Sequence, residues 1–547
     1  MSHKEKSRTF LSGVLILTVA NLITKIIGLV FKIPLTNMLG NEGMGYFNTA
    51  YQIYTWLYML STAGVPVALS LMIAECRAKG RVATEKKLFG LTLIFFALIG
   101  LVGSVLMLIF CRGLASFISA DLSYLCILAI APALFFVCIS STIRGYFQGR
   151  RNMVPTAVSE IIEAVLKLSV GIALGFYALN KGFPLYKVAA YAIFGVTVGV
   201  CAGALFLVLS SMLSKHTVQD VEKLSEVSEE PQSGVKLLLS FFKIAVPVML
   251  SSSLLSMASM LDTVIVIRRL QDIGIAENIS VALYGNYTAY CVTLFNLPPV
   301  LIYPIVNTLI PSLAGARVNN DKGKISLFVQ KSMKLSAIIA LPCAIGLGVM
   351  SFPILKLIFT SVENARMAAP LLTCLAPSVF LIGIMAVSNG MLQAFKLQKY
   401  SVISMIFGAA VKAVGAFALP SVKLGGRYLG IYASPISTFL FYLTITCFNF
   451  YFLARHANVR ISAAKVFLRP LICAILCGLS AVGVYILLVN LFGDIKIFAL
   501  IAIGIGALVY GITLLLIGGI NRSDIELIPT VSKAVGRISI LDKIIKN

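Results

Sequence analysis

Residues 154–177 read VPTAVSEIIEAVLKLSVGIALGFY, and the conflict inside that string decides the fold. It is long enough to cross a hydrocarbon core about 30 Å thick. Yet it carries Glu160, Glu163 and Lys167, and each charge at bilayer depth costs roughly 2.5–3.5 kcal/mol on insertion scales. The rest of the chain removes the alternative of a soluble helix. It is 547 residues long, 59% apolar and only 12% charged, with a mean hydropathy of +0.96. Soluble domains average about 25% charged residues. Comparable apolar runs recur from end to end, so the sequence predicts an all-α polytopic membrane protein of fourteen transmembrane helices.

Span 5 (154–177) has a counterpart further on. Ala131-Pro132 and Ala376-Pro377 begin two stretches that align without gaps at an offset of 245. Along them Phe135 meets Phe380, Gly145 meets Gly390, Gln148 meets Gln393, Ser159 meets Ser404, and Lys167 meets Lys412. A second match places Thr49-Ala50-Tyr51 on Thr288-Ala289-Tyr290. Spans 1–6 and 7–12 therefore read as two copies of one six-helix unit. Six is even, so both copies enter the membrane in the same direction, a parallel repeat about the membrane normal. The predicted organisation is a lobe over 1–214, a polar linker over 215–236, a second lobe over 237–456, two added helices within 457–520, and a tail over 521–547. Expected spans include 10–35, 46–74, 122–146, 238–267, 284–313, 466–492 and 496–520.

The formal charge of +24 would suggest nucleic acid in a soluble protein. Here Lys and Arg collect in alternate loops, as in Arg77, Lys79, Arg81, Lys86 and Lys87 after span 2. The positive-inside rule then predicts that both termini are cytoplasmic, with no nucleic acid involved. The basic start (Lys4, Lys6, Arg8) leads into an apolar run without a small-residue cleavage site, so a retained first helix is expected. The tail alternates apolar and basic residues, a pattern suited to an anionic leaflet. Eleven cysteines lie mostly in apolar segments and read as packing residues. Cys473 and Cys477 share a helix face with no histidine near in sequence, so neither metal nor cofactor is expected. The three histidines, His3, His216 and His456, fall in tails and loops, which argues against catalysis; the chain is not expected to be an enzyme.

Buried charge marks the candidate site. Lys25 and Lys32 are two helical turns apart, so they project from nearly one face of span 1. Lys25 falls near mid-depth, and Lys32 is close enough to an interface to snorkel. On span 5, Glu163 and Lys167 can pair at i, i+4, with Glu160 on the same face. That set reads equally as a gating or coupling network or as a static brace. Lys412 has no acid on its own helix. Arg144 ends span 4 and reads either as a site residue or as a positive-inside loop residue. Asp262, with Arg268 and Arg269 later on span 7, is a candidate gate. Prolines within spans, Pro34, Pro66, Pro132, Pro247, Pro298, Pro299, Pro342 and Pro435, predict bends. Four lysines among seven intramembrane charges suit an anionic substrate.

Several motifs resemble one family. They are Leu39-Gly40 with Glu42-Gly43, Gly64-Val-Pro-Val-Ala68 with Ala74-Glu75, and Arg144-Gly-Tyr-Phe-Gln-Gly149 followed by Met153, Pro155 and Glu163. Together they resemble the stage V sporulation protein B branch of the polysaccharide and lipid-flippase superfamily, related to MurJ-type lipid II flippases and, more distantly, to multidrug and toxin extruders. The resemblance implies two lobes around a cavity, alternating access, and outward movement of an undecaprenyl-linked cell-wall precursor across a bacterial plasma membrane. It also implies cationic residues at the diphosphate, with Lys25, Lys32 and Lys167 at the matching positions, and a lipid-tail groove formed by helices 13 and 14. From their own place in the spans, Lys412 and Arg144 are expected to join the same substrate-binding set. Cell-wall synthesis proteins are candidate partners. The other readings are a cation-coupled drug exporter, for which Glu160 and Glu163 speak, and a non-transporting scaffold of cell-wall or spore synthesis.

Overall fold

A helix is the structure that satisfies every backbone group within one segment where no water is present, and helices dominate throughout. The computed structural model describes residues 3–150, 152–213, 233–318, 321–457, 462 and 464–517. Residues 215–232 of the expected linker and the tail 521–547 lie outside the described residues. By packing, the chain divides into two compact units, Met1–Gly285 and Asn286–Asn547.

The first unit holds α1 (His3–Thr62), α2 (Val65–Ala78), α3 (Val82–Ile109), α4 (Cys111–Phe117), α5 (Tyr124–Ile130), α6 (Ala133–Gly149), α7 (Val154–Asn180), α8 (Leu185–Leu213) and α9 (Gly234–Asp272). The next helix, α10 (Glu277–Asn286), reaches its boundary. Spans 1 and 2 are expected as helices joined by a short loop over 36–45. The structure instead has one helical run broken at a single residue, Gly40, with φ 61° and ψ −163°. Only glycine enters that region without a Cβ penalty, so one residue does the work of the loop. Pro66 and Pro155 open α2 and α7, where the missing N–H has no partner to lose.

Span 4 is divided at Ala131-Pro132 into α5 and α6. At the break the Ala131 carbonyl and the Phe135 N–H keep only tight-turn bonds, from Leu134 N and to Pro132 O at 3.2 Å each, and α3 adds a further partner to both. Ser104 Oγ donates to Ala131 O at 2.9 Å and accepts from Phe135 N at 3.0 Å. A bent span is thereby kept satisfied without water. Glycines set the closest approaches. A Cβ on Gly45 would lie 2.3 Å from Val281 O, and one on Gly64 would lie 2.3 Å from Ala245 O. These contacts seat α9 and α10 directly on α1 and α2, so span 7 packs within the first unit.

The second unit holds α11 (Val292–Phe295), α12 (Pro298–Val318), α13 (Lys322–Val349), α14 (Ser351–Ile358), α15 (Val362–Leu375), α16 (Pro377–Ala394), α17 (Gln398–Ala418), α18 (Ala433–Ala457), α19 (Arg469–Phe492) and α20 (Ile497–Leu516). Its main core gathers Ile302, Val306, Met333, Ile384, Val387 and Leu453 from α12, α13, α16 and α18. Span 8, expected as one helix over 284–313, is interrupted. A π-helical turn over Tyr287–Cys291 joins α10 to α11, and Pro298-Pro299 restarts the helix as α12. Asp321 and Ser361 cap α13 and α15, accepting from Lys324 N at 3.0 Å and Asn364 N at 3.3 Å. A two-residue hairpin, β1 (Lys423–Leu424) and β2 (Arg427–Tyr428), turns at Gly425-Gly426, both with positive φ as the tight turn requires. The added pair, α19 and α20, sits on α13: Tyr510 Oη donates to Ile338 O at 2.7 Å, and Gly478 meets Ile345.

Among the described residues, twelve helical stretches are long and apolar enough to cross a membrane, the first running 55 residues across the Gly40 break. The chain is an all-α multi-pass membrane protein.

Candidate functional site

The site is assembled on α7 by a stripe of five residues spaced four apart: Ser159, Glu163, Lys167, Gly171 and Gly175. Residues at i, i+4 share a helix face, and α8 answers with Gly195, Gly199 and Gly203 at the same spacing. A Cβ on Gly199 would lie 2.6 Å from Glu163 O and 2.9 Å from Lys167 N. One on Gly195 would lie 2.4 Å from Gly171 Cα. Small residues let the two backbones approach this closely. The glycine seam fixes the back of α7, and its charged side chains are held by α1 and α6.

Glu163 does not pair with Lys167, contrary to the i, i+4 expectation. Arg144, from α6, takes it instead, with Nη2 3.0 Å from Glu163 Oε2 and Nε 3.2 Å from Ser159 Oγ. Ser159 passes its own proton to Thr156 O at 2.7 Å. Arg144 is therefore not a loop residue; its side chain is 11% exposed. Glu160, one turn from Glu163, has a buried Oε2 without a hydrogen-bond partner and feels both Arg144 and Glu163.

Lys167 turns the other way. Its Nζ donates to Tyr51 Oη at 3.2 Å and lies 4.7 Å and 5.8 Å from the Tyr51 and Phe31 ring centroids. This is a cation–π environment with no carboxylate in contact among the described residues. Lys32, half-buried one residue after Phe31, is close enough to Lys167 for the two ammonium groups to repel. Lys25, two turns earlier, is exposed. Phe47, Tyr51, Tyr54 and Tyr58 form a ladder along α1 with successive centroids 6.1 Å apart, and Tyr58 feels Arg144, Glu163 and Glu160. The structure thus brings together Lys32, Lys167, Arg144, Glu160 and Glu163, three cations with two carboxylates.

The remaining candidates lie elsewhere. Asp262 is buried on α9 beside Thr263 and Tyr284, whose hydroxyls are 2.8 Å apart. Arg269 pairs with Asp272 at 2.9 Å, and Arg268 is exposed. Lys412 belongs to the second unit, buried on α17 with Nζ 5.7 Å from the Phe441 centroid. The repeat makes a sharper comparison here. Arg144 and Glu163 correspond at offset 245 to Asn389 and Gly408. Where the first unit has an ion pair, the second has a neutral network. Asn389 Oδ1 accepts from Ser401 Oγ and Asn449 Nδ2, both at 2.8 Å, and Asn449 also reaches Ser388 Oγ at 2.9 Å. The lysine is common to both copies; the carboxylate is not.

One feature was missed from sequence. Glu85, 2% exposed on α3, receives Arg77 Nε at 3.2 Å and Arg150 Nε at 2.7 Å. Arg150 also lies 4.5 Å from the Tyr146 ring, which stacks on Phe89. A lone acid in a basic loop was the available signal. An apolar cavity of about 450 Å³ in the second unit is reached by Leu301, Pro342, Leu347, Cys477, Ile503 and Tyr510 from α12, α13, α19 and α20, on the added helices for which the resemblance implies a lipid-tail groove.

Comparison with known proteins fits this architecture. The stage V sporulation protein B of Bacillus subtilis (strain 168) is 25% identical over 434 residues, 78% of this chain and 81% of its own length. The lipid II flippase MurJ of the same organism is 24% identical over 472 residues, 83% and 84% of the two chains. A solved lipid II flippase MurJ in an inward closed conformation superposes with a TM-score of 0.68 at 15% identity, covering 92% of this chain and 98% of that one. The model of the polysaccharide biosynthesis protein family matches residues 10–316, and the chain belongs to that family.

Proposed function

We propose that this protein moves an undecaprenyl-linked cell-wall precursor, lipid II or a related lipid-linked oligosaccharide, from the inner to the outer leaflet by alternating access of its two lobes. The observation that carries the reading is Lys167: a half-buried ammonium at span depth that meets a phenol and two ring faces and, among the described residues, no carboxylate. An ammonium has three donors, so Tyr51 leaves capacity for a diphosphate oxygen. Arg144 is already matched by Glu163, so in this reading it positions α7 against α6 and the lysines take the substrate. Lys25, Lys32 and Lys412 are proposed to contribute to the same anionic path. Tyr51 and Tyr58, the two half-buried rungs of the aromatic ladder, are proposed to offer faces on which sugar rings stack. The apolar cavity on α19 and α20 is suited to part of the polyprenyl chain, which then never leaves an apolar medium. Relatives named for lipid II flipping and for sporulation support the substrate class.

The proposed setting is a bacterial plasma membrane with both termini cytoplasmic, because Lys and Arg concentrate on that side. Glu160 favours a second reading, a cation-coupled drug exporter, since a carboxyl oxygen buried without a hydrogen-bond partner among the described residues, here Oε2, is what such a pump protonates. Depletion and complementation separate the two, following lipid II accessibility at the outer face. Loss of flipping in Lys167→Gln and Lys25→Ala supports the flippase. Normal flipping in both, or drug resistance without any effect on lipid II, supports the exporter.

A further inference from the structure

A second cavity, of about 440 Å³ and mixed in character, lies in the second unit at the start of α13, lined by Gly323, Ser326, Leu327, Gln330, Lys331 and Lys334, with Val466 from the turn that enters α19. We propose that it holds the phosphate of an anionic membrane phospholipid. The inference rests on the orientation proposed above, which puts this end of α13 on the cytoplasmic side.

Its chemistry is that of a phosphate cradle. Lys331 and Lys334, three apart, share a helix face and are half-buried rather than splayed into solvent. Ser326 and Gln330 add a hydroxyl and an amide, themselves 3.2 Å apart. The neighbouring acid, Asp321, pairs with Lys324 at 3.1 Å and accepts from the Lys324 N–H. Depth argues for a lipid rather than a soluble anion. The apolar run of span 9 begins at Leu335, directly after Lys334, which places the two ammonium groups at headgroup level. Leu327 on the cavity wall is 47% exposed, a surface for the upper part of an acyl chain. Beyond it, Ile472, Ile475 and Leu479 on α19 face outward as an apolar rail along the same pair of helices. Basic pockets between helices on the cytoplasmic side have the charge and the depth to bind anionic headgroups.

The test uses the full chain in a neutral detergent. Retained lipid is counted by native mass spectrometry during titration with phosphatidylglycerol, phosphatidylcholine, inorganic phosphate and undecaprenyl diphosphate. Each lysine near an anionic surface is worth about fivefold in affinity, so K331Q/K334Q is expected to bind phosphatidylglycerol about 30-fold more weakly. K322Q/K399Q, whose lysines are exposed and stand outside the cavity wall, guards against a general charge effect and is expected to bind as wild type. Equal retention of phosphatidylcholine, or undiminished phosphatidylglycerol binding by K331Q/K334Q, overturns the site. Saturation by inorganic phosphate alone, or preference for undecaprenyl diphosphate at these lysines, overturns the phospholipid as its source. Orientation is read separately, from labelling of S326C by an impermeant maleimide, and flipping from vesicles, so failure of either leaves the binding result standing on its own.

Discussion

Gly199→Ala is a one-carbon change whose consequence can be worked from the contacts it meets. The added Cβ would lie 2.6 Å from Glu163 O, 2.9 Å from Lys167 N and 3.2 Å from Lys167 Cβ. Two of these are rigid backbone atoms, so neither a rotamer change nor a flexible side chain relieves the clash. The helices must separate by several tenths of an ångström, and the α7 stripe that carries Lys167 moves with them. Overpacking of this kind costs about 1–3 kcal/mol. The control is Gly504→Ala on α20, where a Cβ meets nothing within 4 Å. There the change removes glycine's helix penalty, a gain of up to about 1 kcal/mol. Thermal inactivation of the purified protein in nanodiscs is expected to come earlier for Gly199→Ala and unchanged or later for Gly504→Ala. Precursor binding by Gly199→Ala is also expected to weaken. If both variants behave alike, the α7–α8 seam is not as tight as described, and the positioning of Lys167 by glycine fails with it.

Other outcomes follow from the same geometry. Glu85→Gln leaves Arg77 and Arg150 facing a neutral group 2% exposed, and is expected to destabilise the protein by roughly 3 kcal/mol, with Arg150→Gln partly additive. Glu163→Gln orphans Arg144, with a smaller loss because Glu163 is 28% exposed; the swap Arg144→Glu/Glu163→Arg restoring stability would mark the pair as a brace. Outside the spans, the Lys356 ammonium holds the Asp494 carboxyl below the usual carboxylate range. A depressed pKa means the stabilisation is present above about pH 4 and is lost as pH falls below it. With Asp494 48% exposed the effect is under about 1 kcal/mol, and Asp494→Asn is expected to abolish that acid dependence in a melting series. Finally, outward movement of a negative headgroup is assisted by an inside-negative potential, about 2.3 kcal/mol per charge per 100 mV. Transport in vesicles that ignores an imposed potential would remove charge movement from the mechanism.

The fold was legible where it depends on the solvent and not on partners. Apolar length and the offset of 245 identified the helices, and the prolines marked where spans 4 and 8 break. The turn at Gly40 was read as a loop because a glycine's φ is not visible in its neighbours. Within the site, the residue types were legible and their pairing was not. Helical spacing suggested Glu163 to Lys167, but α6 crosses α7 and delivers Arg144 to the carboxylate first, while the long stem of Lys167 swings to the rings of α1. Tyr51, Tyr54 and Tyr58 repeat at helical spacing and could have been found. The glycine stripe of α8 could have been found too, as G-x-x-x-G-x-x-x-G against a charged face.

The central claim is that Lys167 holds an anionic lipid-linked headgroup, and its most direct test is transport of that lipid by purified protein in vesicles. Appearance of a labelled undecaprenyl diphosphate-linked saccharide in the outer leaflet is compared for wild type, Lys167→Gln and Tyr51→Phe. Loss of a charge-assisted hydrogen bond predicts binding about 10- to 100-fold weaker for Lys167→Gln and a milder loss for Tyr51→Phe. Transport by Lys167→Gln at the wild-type rate and affinity would contradict the account.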